Sequence, residues 1–178
     1  KQKFDRFVTI LILLGIIALA NVVSQFAFVR FDLTSEKRHS LSEGTIETLE
    51  QLEDIVFIRV YLEGELPSGY KRLQNATKEM LEELRAYGGA NIQYEFINPS
   101  ASASEEERVK VYRKLTEEGL KHVSVTNRSS DKVSEQILFP GAIVSYKGRE
   151  QAIELLQSQM GTPEPVMINN SIQQLEYE

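Results

Sequence analysis

"IVFIRVYLEGELPSGYKRLQNATKEMLEELRAYGGANIQYEFINP", Ile55 to Pro99, carries the pattern that decides the fold. Its first ten residues are β-branched and aromatic with little interruption, the composition of a strand covered on both faces of a sheet. After Leu66 the period changes. Tyr70, Leu73, Thr77, Met80, Leu81, Leu84 and Tyr87 recur at spacings of three and four, which lines them along one face of a helix. Gly88 and Gly89 stop it. Ile92, Tyr94 and Phe96 then alternate with Gln93 and Glu95, a second strand. A right-handed crossover makes two such strands parallel neighbours.

Downstream, "SASEEERVKVYRKLTEEG" predicts a helix with Ser104 and Glu107 at capping-box spacing, Val109, Tyr112 and Leu115 inward, and Gly119 as its stop. "KHVSVTN" and "KVSEQILF" read as strands around the polar turn "RSSD". "GAIVSYKGREQAIELL" reads as a hairpin turning at Lys147 and Gly148. A last helix is expected to open at Ser171, with Gln174 three residues on; residues 164–178 end without a C-cap, which predicts a longer native chain. The expected fold class is α/β. Residues 55–163 form a β-α-β-α-β-β unit similar to the thioredoxin-like architecture. Pro140 sits where that architecture often keeps a cis-proline. Its redox chemistry is absent because the chain has no cysteine, and the loop in the redox position reads "EGELPSGY". Glu63, Glu65, Tyr70 and Pro140 are therefore expected to line a ligand or docking surface rather than a thiol site.

Upstream lies "FVTILILLGIIALANVVSQFAFVRF", Phe7 to Phe31. About 20 apolar residues cross a roughly 30 Å hydrocarbon layer as a helix. A core helix would show a polar stripe, yet Phe7 to Ala20 contains only Thr9. "KQKFDR" and "ALA" resemble the ends of a cleaved signal peptide, but apolar character resumes at Val22, Val23, Phe26, Phe28 and Val29. The expectation is a transmembrane anchor over residues 1–31. Asn21, Ser24 and Gln25 share one helix face and are assigned to packing against another membrane helix. Residues 32–54 form a linker and a short amphipathic helix. Arg30, Asp32, Glu36, Lys37 and Arg38 occupy the headgroup boundary, and Ser40, Ser42 and Glu43 start the helix. Ser40 with Glu43 matches a capping box, while Ser42 as N-cap makes Leu41 and Ile46 a hydrophobic staple. Cations flank both ends of the apolar run, so charge alone does not orient it.

Composition excludes several functions. The net charge is −6, and from Asp32 onward 16 Lys and Arg stand against 25 Asp and Glu. No basic cluster forms, so nucleic acid is not a partner. His39 and His122 are isolated, without the spaced companions a metal site needs. Neither a G-x-S-x-G elbow nor a phosphate-binding G-x-x-x-x-G-K-[ST] loop occurs. The reading is no enzyme and no cofactor.

"FVRFDLTSEKRHSLSEGTIETLEQLEDIVFIRVYLEGELPSGYKRL" resembles the N-terminal region of the GldG family, auxiliary subunits of an ABC transporter associated with gliding motility. "ILFPGAIVSYKGREQAIELL" and "INNSIQQLEYE" are similar to later parts of that family. The resemblance implies a bacterial inner-membrane protein with its N-terminus in the cytoplasm and its main domain in the periplasm. Its partners would be the lipid bilayer, a polytopic permease and, through the permease, a cytoplasmic ATPase. The family's larger C-terminal portion and second span have no counterpart here. A membrane-anchored periplasmic receptor for a cell-envelope glycan, peptide or lipid is the alternative, with the surface near Glu63 to Tyr70 and Pro140 as its binding face.

Overall fold

The computed structural model describes residues 41–129, 132–157 and 161–177. The elements in chain order are α1 (Glu43–Glu50), β1 (Val56–Val60), α2 (Ser68–Gly88), a 3-10 turn (Gly89–Asn91), β2 (Ile92–Phe96) and α3 (Glu105–Glu117). Then come β3 (Val123–Ser129), β4 (Lys132–Leu138), β5 (Gly141–Tyr146), β6 (Arg149–Glu154) and α4 (Glu164–Tyr177). This is a mixed α/β chain. The apolar run at Phe7–Phe31 lies outside the described residues. Among those described, no helix is long and apolar enough to cross a membrane.

β1 is the axis of a four-stranded sheet of order β2-β1-β5-β6. It pairs parallel with β2, Val56 opposite Ile92 and Val60 opposite Phe96. On its other edge it pairs antiparallel with β5, Phe57 opposite Ser145 and Val60 opposite Ala142. Strand side chains alternate between faces, so β1 feeds two cores. Ile58, Val60 and Leu62 join Tyr70, Leu73 and Leu81 of α2 and Ile168 of α4. Tyr61 joins Leu115 of α3, Leu120, Phe139 and Ile143 on the opposite face. Helices therefore cover both faces, as the nearly unbroken apolar character of β1 requires. β3 and β4 form a separate two-stranded ribbon. Val125 and Leu138 reach the first core, while Phe139, just past β4, belongs to the second.

Local chemistry sets the ends. Ser42 is the N-cap of α1, its hydroxyl accepting from the Thr45 backbone N–H at 3.2 Å. Glu43 is then the first helical residue, not the third, so its carboxylate cannot reach back as a capping box requires. Leu41 and Leu49 pack on Ile92, with Ile46 alongside. The β5–β6 hairpin turns at Lys147 and Gly148, with φ of 47° and 75°. Two consecutive positive values are the mark of a type I′ turn, whose twist matches the strands it joins.

Three sequence expectations are corrected. Ser104 precedes α3 but makes no side-chain capping bond; the Glu107 carboxylate accepts from the Ser102 hydroxyl instead. Val109 and Tyr87 do not face inward: they are 47% and 39% exposed, left at the margins of faces that the sheet only partly covers. The final helix begins at Glu164, and Ser171 lies in its middle, not at its start. Buried there, the Ser171 hydroxyl donates to the Met167 carbonyl and accepts from the Gln157 backbone N–H, both at 2.9 Å. It is a staple between α4 and the segment that follows β6.

α4 packs on α2. The Tyr70 hydroxyl hydrogen-bonds the Glu164 carboxylate, and burial, then the Glu164 charge, push that hydroxyl's pKa above the ordinary tyrosine value of 10.0. Below pH 10 both folded and unfolded chains keep this proton. Above it only the unfolded chain loses the proton, so stability falls as pH rises past about 10. Y70F is expected to cost about 1 kcal/mol at neutral pH and to flatten the alkaline decline, measured as denaturant midpoints from pH 7 to pH 11.

Candidate functional site

In α/β sheets, ligand sites gather beyond the carboxyl ends of parallel strands. Here that position is the loop from Glu63 to Pro67, between β1 and α2, beside Asn98 after β2. Gly64 has φ of 115°, and a Cβ there would lie 2.7 Å from Asn98 Nδ2, so no other residue fits without displacing Asn98. Asn98 is held in turn, its Oδ1 accepting from the Ser100 backbone N–H at 2.9 Å.

The loop's polar groups are spent on itself. Gln74 is 5% exposed. Its Nε2 donates to the Leu62 carbonyl at 2.7 Å and to Glu63 Oε2 at 2.6 Å, while its Oε1 accepts from Lys71 Nζ. The other Glu63 oxygen accepts from the Gly64 backbone N–H at 3.3 Å. The Glu65 side chain is exposed, and its carbonyl accepts from Gln136 Nε2 of β4 at 2.9 Å.

Two of the four residues assigned to this surface from sequence are not on a surface. Tyr70 is 1% exposed, its ring inside the core between the sheet and α4. Pro140 is buried too, and no peptide bond among the described residues is cis. Pro140 sits at the centre of a tight three-residue turn closed by Gly141 N–H to the Phe139 carbonyl at 2.8 Å, and its own carbonyl accepts from Leu155 and Leu156. The helical period placed Tyr70 inward correctly, but the docking surface overlooked that same inward direction. Ser42 and Glu43 serve α1 as described above. Asn21, Ser24, Gln25, Arg30, Asp32, Glu36, Lys37, Arg38 and Ser40 lie outside the described residues.

A second concavity was not anticipated. Val109, Tyr112, Arg113 and Thr116 of α3 face His122, Ile137 and Phe139 across a groove of about 220 Å³. Phe139 is its floor, its ring in tilted contact with Tyr112 at 5.4 Å between ring centroids and with His122 at 5.8 Å. The Tyr112 hydroxyl is tied to the Ser100 hydroxyl at 2.8 Å. The i, i+3, i+4, i+7 spacing from Val109 to Thr116 signals one helix face. Only the placement of the β3–β4 ribbon turns that face into a wall.

On the same side of the sheet, Arg59 pairs with Glu150 at 2.6 Å, while Arg59 Nε and Glu118 Oε2 are buried without hydrogen-bond partners. Burial raises the pKa of Tyr61 beside them; the Arg59 charge opposes this and the carboxylates of Glu118, Glu150 and Glu95 add to it. No group of three or more potential metal ligands occurs among the described residues.

Residues 35–145 match the family described as a domain of unknown function, DUF7088. The chain belongs to that family. The match runs from ahead of α1 into β5, so it takes in both the Gly64–Asn98 loop and the α3 groove, and it ends inside the β5–β6 hairpin. No curated protein and no solved structure matches the chain.

Gln74 is the element on which the DUF7088 chain's loop depends. Q74L removes both donors and strands the buried Leu62 carbonyl, at a cost of about 1–3 kcal/mol. Faster hydrogen exchange at Glu63 to Glu65, with β5 and β6 unchanged, is the expected signature.

Proposed function

We propose that this chain is a non-catalytic, membrane-anchored auxiliary subunit of an ABC transporter complex, its α/β domain standing in the periplasm on a thioredoxin-like scaffold. The observation that carries the docking role is the self-contained loop at the carboxyl end of β1. Gln74 and Glu63 satisfy each other, Tyr70 is core, and the chain has no thiol to place there. A receptor or redox enzyme on this scaffold would need that loop open and chemically armed.

Supporting the scaffold are the strand order β2-β1-β5-β6, the parallel β1–β2 pair followed by an antiparallel β5–β6 hairpin, and α2 with α4 on one face against α3 on the other. The β3–β4 ribbon is then an insertion ahead of the hairpin. Supporting the membrane role are the apolar run at Phe7–Phe31 and the GldG-like stretch that follows it. The association with gliding motility and its secretion machinery, the inner-membrane location, the permease and the cytoplasmic ATPase rest on that resemblance.

In the anchor, Asn21, Ser24 and Gln25 present hydrogen-bonding groups on one helical face, each contact being worth about 1 kcal/mol inside a bilayer. Replacing all three with Leu is expected to reduce co-purification with a permease from detergent-extracted membranes, whereas deleting the soluble domain leaves it intact. Undiminished recovery with the triple variant removes the polar-face contact. If no permease travels with the native chain, the subunit reading fails, and a thermal shift of the native chain with cell-envelope fragments tests the receptor instead.

A further inference from the structure

We propose that the groove between α3 and the β3–β4 ribbon is a docking site for a peptide segment in which an acidic side chain sits beside a bulky apolar one. The proposal deepens the docking role above by locating its surface and the chemistry of what that surface takes.

The apolar half follows from the groove's floor and wall. Phe139 is fully buried, yet its ring lines the concavity with Tyr112 and Ile137. Val109 stands at the mouth, 47% exposed on a helix otherwise rich in charge. An apolar side chain laid against these groups would remove exposed carbon from water at about 25 cal/mol per Å², and its fit would be set by the aromatic floor.

The acidic half follows from charge. Arg113 and His122 line the groove, and no carboxylate does. Of the neighbouring cations, Lys114 lies 3.6 Å from Glu118 and Lys121 lies 2.6 Å from Glu154. Arg113, exposed at the rim, makes no ion pair among the described residues. The groove is thus locally cationic on a chain that carries a net charge of −6. General repulsion of acidic partners combined with one attractive point favours a correctly registered ligand over diffuse attachment. The same acidic surface disfavours an anionic bilayer as the occupant.

The test uses the full chain in neutral phosphatidylcholine nanodiscs, with empty discs as the blank. The probe is a fluorescein-labelled peptide, Gly-Ser-Leu-Asp-Phe-Asp-Leu-Ser-Gly, read by anisotropy. Three twins are compared, with both Asp changed to Asn, both Asp changed to Lys, or Leu and Phe changed to Ser. The native chain is expected to bind the parent peptide and to lose at least about tenfold in affinity for the Asn and Ser twins. R113E is expected to lose the parent peptide by a similar factor and to gain the Lys twin. V109S weakens the parent peptide without changing its charge preference. Both substitutions are at exposed positions, and unchanged thermal midpoints verify the fold.

Failure of the parent peptide to bind, equal binding of the Asn twin, or indifference to R113E overturns the proposal. So does displacement of the peptide by millimolar inorganic phosphate at constant ionic strength, which would assign the site to a bare anion. Peptide failure with permease co-purification intact removes the groove and leaves the subunit role standing. Peptide binding without a co-purifying permease has the reverse meaning.

Discussion

The domain depends on β1 being buried from both sides. Ile58 and Val60 of the strand with Leu62 just beyond it on one face, and Tyr61 on the other, are each 7% exposed or less, and the strand has a parallel partner on one edge and an antiparallel one on the other. That arrangement needs helices above and below, and it needs a crossover long enough to return the chain parallel to itself. α2 provides the crossover, and its Tyr70, Leu73 and Leu81 provide half of the cover. α4 completes that layer and α3 forms the opposite one. A polar residue at Val60 would disturb the first core directly and, by loosening the strand, the second.

Much of this was legible because periodicity and turn chemistry are local. The alternation in β2, the helical stripe of α2, the stops at Gly88 and Gly119 and the Lys147–Gly148 turn are each written within a few residues. What failed depended on distant partners. Ser171 has capping-box spacing, yet helix α4 starts a full two turns earlier because Ile168, buried to 3% exposure, must reach the α2 surface. The box expected between Ser104 and Glu107 does not form because the Ser102 hydroxyl engages both the Glu107 carboxylate and the Ser104 backbone N–H. Val109 stands six positions before buried Leu115, about 120° away around the helix, so the face that buries Leu115 leaves Val109 exposed. The groove was illegible for the same reason: Phe139 and Tyr112 are 27 positions apart in sequence, and nothing local says that their rings meet.

The loop after β1 shows how the carboxyl end of a parallel strand can be satisfied from within the chain. Gly64 answers two structural demands, a positive φ and the closeness of Asn98. Gln74 occupies hydrogen bonds that a ligand would otherwise take. Pro140 spends its carbonyl on the exit of β6. With that end of the sheet internally satisfied, the unsatisfied chemistry of the described residues lies on the α3 side, where Arg59 Nε, Glu118 Oε2 and the rim of the groove are found.

The placement of α4 has a practical consequence for where the domain can be cut. The family match stops at residue 145, one residue short of the end of β5, whereas β6 and α4 supply the pairing edge for β5 and the lid over Tyr70 and Leu73. A recombinant fragment trimmed to the matched segment would present an open strand edge and a bare apolar layer, the combination that drives self-association. The packed layers around β1 therefore include β6 and α4, and a border drawn where the family match ends would divide them.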